Sequence, residues 1–430
     1  MPASVLIVGL STRAAAESAA RAGFDVTSID AFGDLDQHPS VRSLSMSRDF
    51  GAPFAPRALA RAARGIESDA LVYLSSLENH PHTVRRLTSG RALWGNTPDV
   101  LRRVRDPFEL ARVLRRRGFK APRVFPNPPS PDGFGAPSDP NDPNDPNDPN
   151  DPNKSCLMKP LASGGGRGVR AWTTGTRLPR GYYGQQFVSG TPGSVVFASA
   201  GGHAVPLGVS RQLVGEAAFG AAGFRYCGSI LTASGGPWSE HDHGLVDAAS
   251  ALASAVSEGF GLVGVGGIDF IVHDGQPQTL EVNPRWSASM ELVERAYGIS
   301  VFDAHASACR EGLLPTFDLR RARQGNGTHG KAIVFARREV IVGDTRAWIE
   351  DTSVRDVPSP GERIAAGHPV CTVFAEGLDE AACYAALVRR AERVYAELSR
   401  AQVAPPGTGP QSPRIRSAVR RSGSGPARAS

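Results

Sequence analysis

The chain holds 430 residues, 40% hydrophobic and 21% charged, with a formal net charge of +6. That length exceeds what one hydrophobic core serves and calls for about two to four domains. No apolar run is long enough to span a bilayer, and the first apolar segment, VLIVGL at 5–10, lacks a basic leader and a cleavage site. The expectation is therefore a cytoplasmic protein with no membrane partner. The five cysteines (Cys156, Cys227, Cys309, Cys371, Cys383) are scattered without ligand spacing, which fits reduced thiols. Of the six net charges, five come from Arg414, Arg416, Arg420, Arg421 and Arg428 in a Pro-, Ser- and Gly-rich stretch without acids. Such a stretch reads as a solvated, disordered tail, so no specific nucleic-acid partner is expected.

The chain opens with a strand at 5–10, followed by a helix at 14–23 that Gly23 ends, and a second strand, FDVTSID, at 24–30. A further strand in GIESDALVYLSS and a short one in RALWGN complete a strand–helix alternation, the mark of a parallel α/β sheet. DPFELARVLRRRG at 106–118 is a helix with Asp106 as its N-cap, Pro107 in its first turn and Gly118 as its stop. Residues 126–153 break the pattern, because DPN recurs five times in tandem from Asp139 to Asn153. Proline and Asx turns at period three build no core, so this is a flexible surface insertion.

SCLMKP at 155–160 is a strand that runs into LASGGGRGV and then a strand at RAWTT. No helix opens at these glycines, and neither the P-loop GK[ST] nor the Rossmann GxGxxG is present. Short strands with hairpin turns follow in YYGQQFVSG, GSVVFASAGG and AVPLGVSRQLVG, then a long helix at 240–261. VGGIDFIVHDGQPQTLEVNPR is a hairpin joined at HDGQP. A β-rich segment at about 331–375 and a helix at 379–398 close the ordered part.

The hairpin carries the chemistry. Strand side chains alternate between faces, so Glu281, Asn283 and Arg285 share one side, with Asp269 on the neighbouring strand. Two carboxylates and an amide oxygen form a hard-oxygen site suited to Mg²⁺ (or Mn²⁺) held jointly with phosphates. Arg285 can clamp a transferring phosphoryl group, and Lys159 can reach phosphate as a point charge. Gly164, Gly165, Gly166 and Gly168 let backbone N–H groups close over the anion.

Together, CLMKPLASGGGRGV, YGQQFVSG and GGIDFIV…LEVNPRWSAS resemble the glycine-rich loop, hinge and paired metal-binding strands of the ATP-grasp superfamily. Within it the chain is similar to a group of predicted ATP-dependent carboligases, resembling carboxylate–amine ligases. The resemblance implies an α/β fold in this order: a pre-ATP-grasp parallel α/β domain at 1–105; a linker helix and lid at 106–190, carrying the insertion at 126–153; a metal and substrate subdomain at 191–320; a small β-rich C-terminal domain at 321–400; and the basic tail at 401–430. It implies ATP and Mg²⁺ as cofactors, small-molecule carboxylate and amine (or thiol) substrates joined through an acyl phosphate, and a possible place in cofactor or one-carbon-carrier biosynthesis. A homodimer stays open.

Carried over by position, Lys159 and the four glycines would meet phosphate, and Gln186, Phe187 and Val188 the adenine. Asp269, Glu281 and Asn283 would bind the metal, and Arg285 the reacting phosphate. Gln185 and Gln186 stand where many members have an acid. Asp106 is followed by Pro107 where many have a lysine, which leaves Arg103 and Arg105 as replacements. No biotin-acceptor Met-Lys-Met is present.

The acceptor side is read from position alone. Ser11 and Arg13, with Thr12, sit where the first strand meets a helix N-terminus, a place for an anion or for an N-cap with a surface arginine. Glu78 and Asn79 lie past a strand's C-terminal end, where open α/β sheets bind ligands; a capping turn explains them equally. Arg211 either faces the cleft or pairs with an acid, and His241 and His243 read as solvated. The competing functions are a non-catalytic ATP-binding regulatory protein, a dinucleotide-dependent oxidoreductase, which GLSTRA lacks the glycines for, and a nucleic-acid binder confined to the tail.

Overall fold

The structure, a computed structural model, describes residues 2–126, 156–172, 177–232, 242–324 and 327–403. The DPN repeat, the tail beyond 403, His241 and the side chain of His243 lie outside the described residues.

The N-terminal unit is a parallel sheet of five strands: β1 (Ser4–Val8), β2 (Asp25–Asp30), β3 (Val41–Ser45), β4 (Ala70–Tyr73) and β5 (Ala92–Leu93), in the order β3-β2-β1-β4-β5. Its helices are α1 (Arg13–Arg21), α2 (Pro56–Ala62), α3 (Pro81–Leu87) and α4 (Pro98–Val104). The near-continuous apolar runs of β1 and β4 follow from burial on both faces: Leu6 and Leu71 pack toward α2 and α3, Ile7 and Val72 toward α1. Helix α5 (Pro107–Arg116) starts as its sequence dictates, with Asp106 Oδ1 accepting from the N–H of Phe108 at 2.8 Å and of Glu109 at 3.3 Å.

The lid is a small antiparallel sheet, β6 (Val124–Phe125), β7 (Cys156–Pro160), β8 (Arg170–Ala171) and β9 (Tyr182–Gln186), in the order β6-β9-β7-β8. The body is formed by β10 (Thr191–Ala200), β11 (His203–Val214), β12 (Tyr226–Leu231), β13 (Gly264–His273), β14 (Gln276–Asn283) and β15 (Thr328–Phe335), with β16 (Val340–Ile341), β17 (Val354–Arg355), β18 (Arg363–Ile364) and β19 (Pro369–Gly377). Eight of these make one sheet, β14-β13-β10-β11-β12-β15-β19-β17, and β16 pairs with β18. The expected boundary at 320/321 thus falls between strands of one continuous sheet: β15 pairs with β12, so the C-terminal segment extends the sheet that carries Asp269 and Glu281. The β13–β14 hairpin turns on Asp274 and Gly275, both at positive φ (49° and 70°), which the Asp-Gly pair permits.

Helices α6 (Asp242–Phe260), α7 (Ala288–Tyr297), α8 (Val301–Glu311), α9 (Leu319–Arg323), α10 (Arg346–Glu350) and α11 (Glu380–Val403) dress this sheet. Ile268, Phe270 and Val282 pack with Leu252 and Val256 of α6 on one face. Val265, Val196 and Leu231 pack with Met290 and Val293 of α7 and Phe302 of α8 on the other. Period-two alternation puts Asp269 and Glu281 on the second face, beyond the reach of α6.

No helix among the described residues is long and apolar enough to cross a membrane. No disulfide joins the five cysteines.

Candidate active site

The hairpin register places Asp269 opposite Glu281 and Gly267 opposite Asn283, with a bulge between Asp269 and Phe270. On its other side β13 pairs Asp269 with Ser194 of β10. Asp269 Oδ1 accepts from Gln212 Nε2 at 2.8 Å and Oδ2 from Asn283 Nδ2 at 2.9 Å. Arg285 lies two residues beyond the end of β14, yet stays with the group. Its Nη2 donates to Glu78 Oε1 at 2.7 Å and to Asn283 Oδ1 at 3.2 Å, and its Nη1 to the Trp286 carbonyl at 3.0 Å.

Of the two arginines offered as substitutes for the missing lysine, Arg105 faces the cleft. Its Nη1 donates to the Val282 carbonyl at 3.0 Å and to Glu281 Oε2 at 3.4 Å. Its Nη2 donates to the Ser163 carbonyl at 3.0 Å and to Asn79 Oδ1 at 3.3 Å. Arg103 points away, pairing with Glu109 at 2.9 Å and lying over the Phe260 ring. Lys159 on β7 donates to Gln185 Oε1 at 3.0 Å.

The glycine loop between β7 and β8 lies over this group. The Gly165 carbonyl accepts from the Tyr226 N–H at 3.1 Å. Gly166 has φ +73°, and a Cβ there would meet the Phe224 carbonyl oxygen at 1.7 Å, so only glycine fits. In the hinge, Gln186 turns to the lid: its N–H donates to the Arg123 carbonyl at 2.8 Å and its Oε1 accepts from the Arg123 N–H at 3.2 Å. Phe187 is half-buried and Val188 buried.

The electrostatics divide the two carboxylates. Burial, reinforced by Glu281, pushes Asp269 above the usual carboxylate range. Burial also works against an ionised Glu281, but Arg105, Lys159 and Arg285 hold it below that range. Despite burial, Glu78 raises the Arg285 pKa.

Three buried polar atoms here have no partner among the described residues: Glu78 Oε2, Arg105 Nε and Arg285 Nε. Such atoms are costly unless something else meets them. Among the described residues no group of three or more His, Cys, Asp or Glu is arranged to hold a metal ion. The donor set is two carboxylates and an amide beside cations, which suits a hard cation whose remaining ligands are phosphate oxygens. Asn283 Oδ1 accepts once, from Arg285, and keeps a second lone pair for a cation.

Other expectations fare differently. Glu78 and Asn79 join the cleft through Arg285 and Arg105, with Asn79 Nδ2 also reaching the Ser163 carbonyl at 3.5 Å. Arg13 is no surface anion receptor. It is fully buried, with Nε 2.7 Å from Asp356, Nη1 3.0 Å from Glu17, Nη2 2.7 Å from Glu291, and Nε 3.5 Å from Asp36. Every arm of its guanidinium is taken, so the substrate role is withdrawn. Thr12 donates to Asp30 at 2.8 Å, and Ser11 is half-buried beside it. Arg211 pairs with Glu380 of α11, the structural alternative, because it shares strand parity with Val209 and Leu213. Its neighbour Gln212 has the opposite parity and reaches Asp269. Alternation around Val209 and Leu213 was the available signal for Gln212; nothing local marked Glu291 or Lys331, paired at 2.6 Å on the same face.

Comparison with known proteins bears on the fold that carries this geometry. Residues 104–289 match the sequence profile of the ATP-grasp domain family, so the chain carries an ATP-grasp domain there. An uncharacterised protein of Methanocaldococcus jannaschii is 26% identical over 121 residues, 28% of each chain. Pyruvate carboxylase from Rhizobium etli superposes with a TM-score of 0.66 at 14% identity, over 90% of this chain and 37% of that one. L-amino acid ligase from Bacillus licheniformis superposes with a TM-score of 0.61 at 14% identity, over 91% of this chain and 97% of that one. The chain thus spans little more than a third of the pyruvate carboxylase. These likenesses show a shared fold over about nine-tenths of this chain, around the ATP-grasp domain at 104–289.

Proposed function

We propose that the chain is an ATP- and Mg²⁺-dependent ligase that joins a carboxylate to an amine and releases ADP and phosphate. The observation that carries this reading is the convergence of Asp269, Glu281 and Asn283 with Arg105 and Arg285, leaving buried guanidinium and carboxylate atoms without partners. A site that only held nucleotide would not need a second arginine beside the carboxylates that would bind the metal. The similarity in fold to a Bacillus licheniformis protein named L-amino acid ligase points the same way.

In this reading Asp269, Glu281 and Asn283 hold Mg²⁺, which when bound neutralises phosphate charge during transfer. Lys159 and the backbone of Gly164–Gly168 hold the triphosphate, and Gln186, Phe187 and Val188 line the adenine side. An oxygen of the substrate carboxylate attacks the γ-phosphorus, the bond to the β-γ bridging oxygen breaks, and ADP leaves. Arg285, held by Glu78, lies where charge builds on the transferred group, and Arg105 steadies the loop above it. The amine nitrogen then attacks the acyl carbon of the mixed anhydride. Phosphate departs, the nitrogen loses its proton, and the amide remains. The closed glycine loop keeps water from the anhydride.

The test is release of ADP and phosphate from Mg-ATP by the purified chain, with and without a small-molecule extract, beside E281Q. We expect extract-dependent ADP release that falls at least about a hundredfold in E281Q while its circular dichroism is kept. AMP and pyrophosphate as products would refute the acyl-phosphate route. Tight Mg-ATP binding without turnover in any extract would favour a regulatory nucleotide-binding protein.

A further inference from the structure

A cavity of about 470 Å³ opens where three parts of the fold meet: α1, the C-terminal half of α7 and the segment around β17. It lies apart from the cleft of Asp269 and Glu281, none of whose residues line it. Its volume is that of a small-molecule site.

The wall carries carboxylates and guanidiniums, but they are not equally committed. Glu17 accepts from Arg13 at 3.0 Å and Arg21 at 2.6 Å. Glu294 accepts from Arg21 at 2.6 Å, from the Val301 N–H at 2.7 Å and from the Ser18 hydroxyl. Glu291 is shared by Arg13 and Lys331. Each acid on the wall therefore already has its cations.

Arg295 and Arg355 are less committed. Arg295 stacks over the Phe374 ring at 3.7 Å and gives Nη1 to the Thr352 carbonyl at 3.2 Å; among the described residues no carboxylate lies within ion-pair distance of it. Arg355 gives Nη1 to the Val354 and Asp351 carbonyls at 2.9 and 3.4 Å, and among the described residues its one acid in range is Asp36, 4.0 Å from its Nε. A guanidinium carries five N–H donors in a fork that fits carboxylate and phosphate oxygens, so both retain unused donors. Arg295 is exposed, so water meets its spare N–H groups until an anion takes its place, whereas Arg355 is half-buried. Stacking on an aromatic ring fixes one face of a guanidinium and leaves its edge for an anion.

We propose that this cavity is a second ligand site, for a small oxyanion (a carboxylate or a phosphate) held between Arg295 and Arg355. The apolar parts of the wall, Ala14 and Ile299, would face the carbon body of such a molecule. Because the wall is drawn from α1, α7 and the β17 segment, the ligand joins three parts of the fold. Helix α7 also begins three residues after Arg285, so occupancy bears on the element that leaves the catalytic cleft. The site stands whether or not the ligase reading holds.

The experiment titrates the full chain with sodium phosphate and, separately, with sodium malonate, each against sodium chloride at matched ionic strength. Binding is read by calorimetry and by the melting temperature, in the unmodified protein, R295Q, R355Q and R295K. We expect saturable one-site binding of at least one oxyanion. Affinity should fall at least tenfold in R295Q and R355Q and less in R295K, with ATP turnover in R295Q unchanged. A response to phosphate alone or to malonate alone assigns the anion class. Absence of saturable binding to the unmodified protein overturns the proposal. So does binding that keeps its affinity in the glutamine variants, which would put the anion in the nucleotide cleft or on the surface. If R295Q fails to fold, R355Q and R295K decide the matter alone.

Discussion

Two clusters of buried charge lie on the same side of the eight-stranded sheet, and they are built from similar parts. One gathers Asp269, Glu281, Glu78, Arg105 and Arg285; the other gathers Glu291, Asp356, Asp36, Lys331 and Arg13. In the second the Arg13 guanidinium meets four carboxylates, Lys331 meets Glu291 and the Ala288 carbonyl, and Asp36 accepts from the N–H groups of Asp356 and Val357 at 3.1 and 2.9 Å. In the first, three polar atoms remain unmet; burial raises the carboxyl pKa of Asp269 there and of Asp36 in the second cluster alike, so the unmet atoms are the difference. The number of buried charges therefore separates nothing. What separates a clamp from a site is whether the charges answer one another or wait for something else.

The comparison breaks most visibly at Arg13. Replacing it in R13M strands Glu291, Asp356 and Asp36 without their shared cation, and loss of one partner from a buried pair costs about 3–5 kcal/mol. A large drop in melting temperature is expected, read by calorimetry. An R13M melt within about 0.5 kcal/mol of the unmodified protein would show the clamp to be ornamental. The glycine loop offers a second, more local break. G166A forces a Cβ into the Phe224 carbonyl oxygen. The variant should keep its fold and lose nucleotide affinity by at least about tenfold, on the footing that 1.4 kcal/mol is a factor of ten. Equal binding of a fluorescent ATP analogue by G166A would remove the loop from the site.

The smallest effect concerns pH. Asp269 holds its proton above the usual carboxylate value of about 4, and a cation must displace that proton. Mg²⁺ affinity is then full once pH exceeds the raised pKa and declines as pH falls through it. The sign for stability is opposite. A carboxyl whose folded pKa is raised favours the folded state at low pH and loses that contribution as pH rises through the folded value. Mg²⁺ titrations across mildly acidic pH, monitored by calorimetry, test this; affinity independent of pH would mean Asp269 is not a ligand.

Much of the frame was legible in the residues themselves. The β13–β14 hairpin followed from alternation and Asp274-Gly275, α5 from Asp106 and Pro107, and the glycine loop from its spacing. What escaped was partnership across distance. Arg13 reads as an exposed cation beside a helix start because Glu291 and Asp356, which bury it, stand 278 and 343 residues away. Arg105 and Arg103 are equivalent on paper, since only the tertiary placement of the residues that end α4 tells which one meets Glu281. The C-terminal segment reads as a separate domain because antiparallel pairing of β12 with β15 spans a gap of about a hundred residues that no local pattern reports.

Arg105 also has a kinetic side. One planar group touches the loop at Ser163, the N-terminal unit at Asn79 and the metal-binding strand at Glu281 and Val282. The loop cannot lift without surrendering one of those hydrogen bonds, and a cation approaching Glu281 weakens another. Opening of the cover and readiness of the carboxylate are thus recorded by the same side chain. In the proposed ligase, Arg105 therefore ties the position of the glycine loop to the state of Glu281.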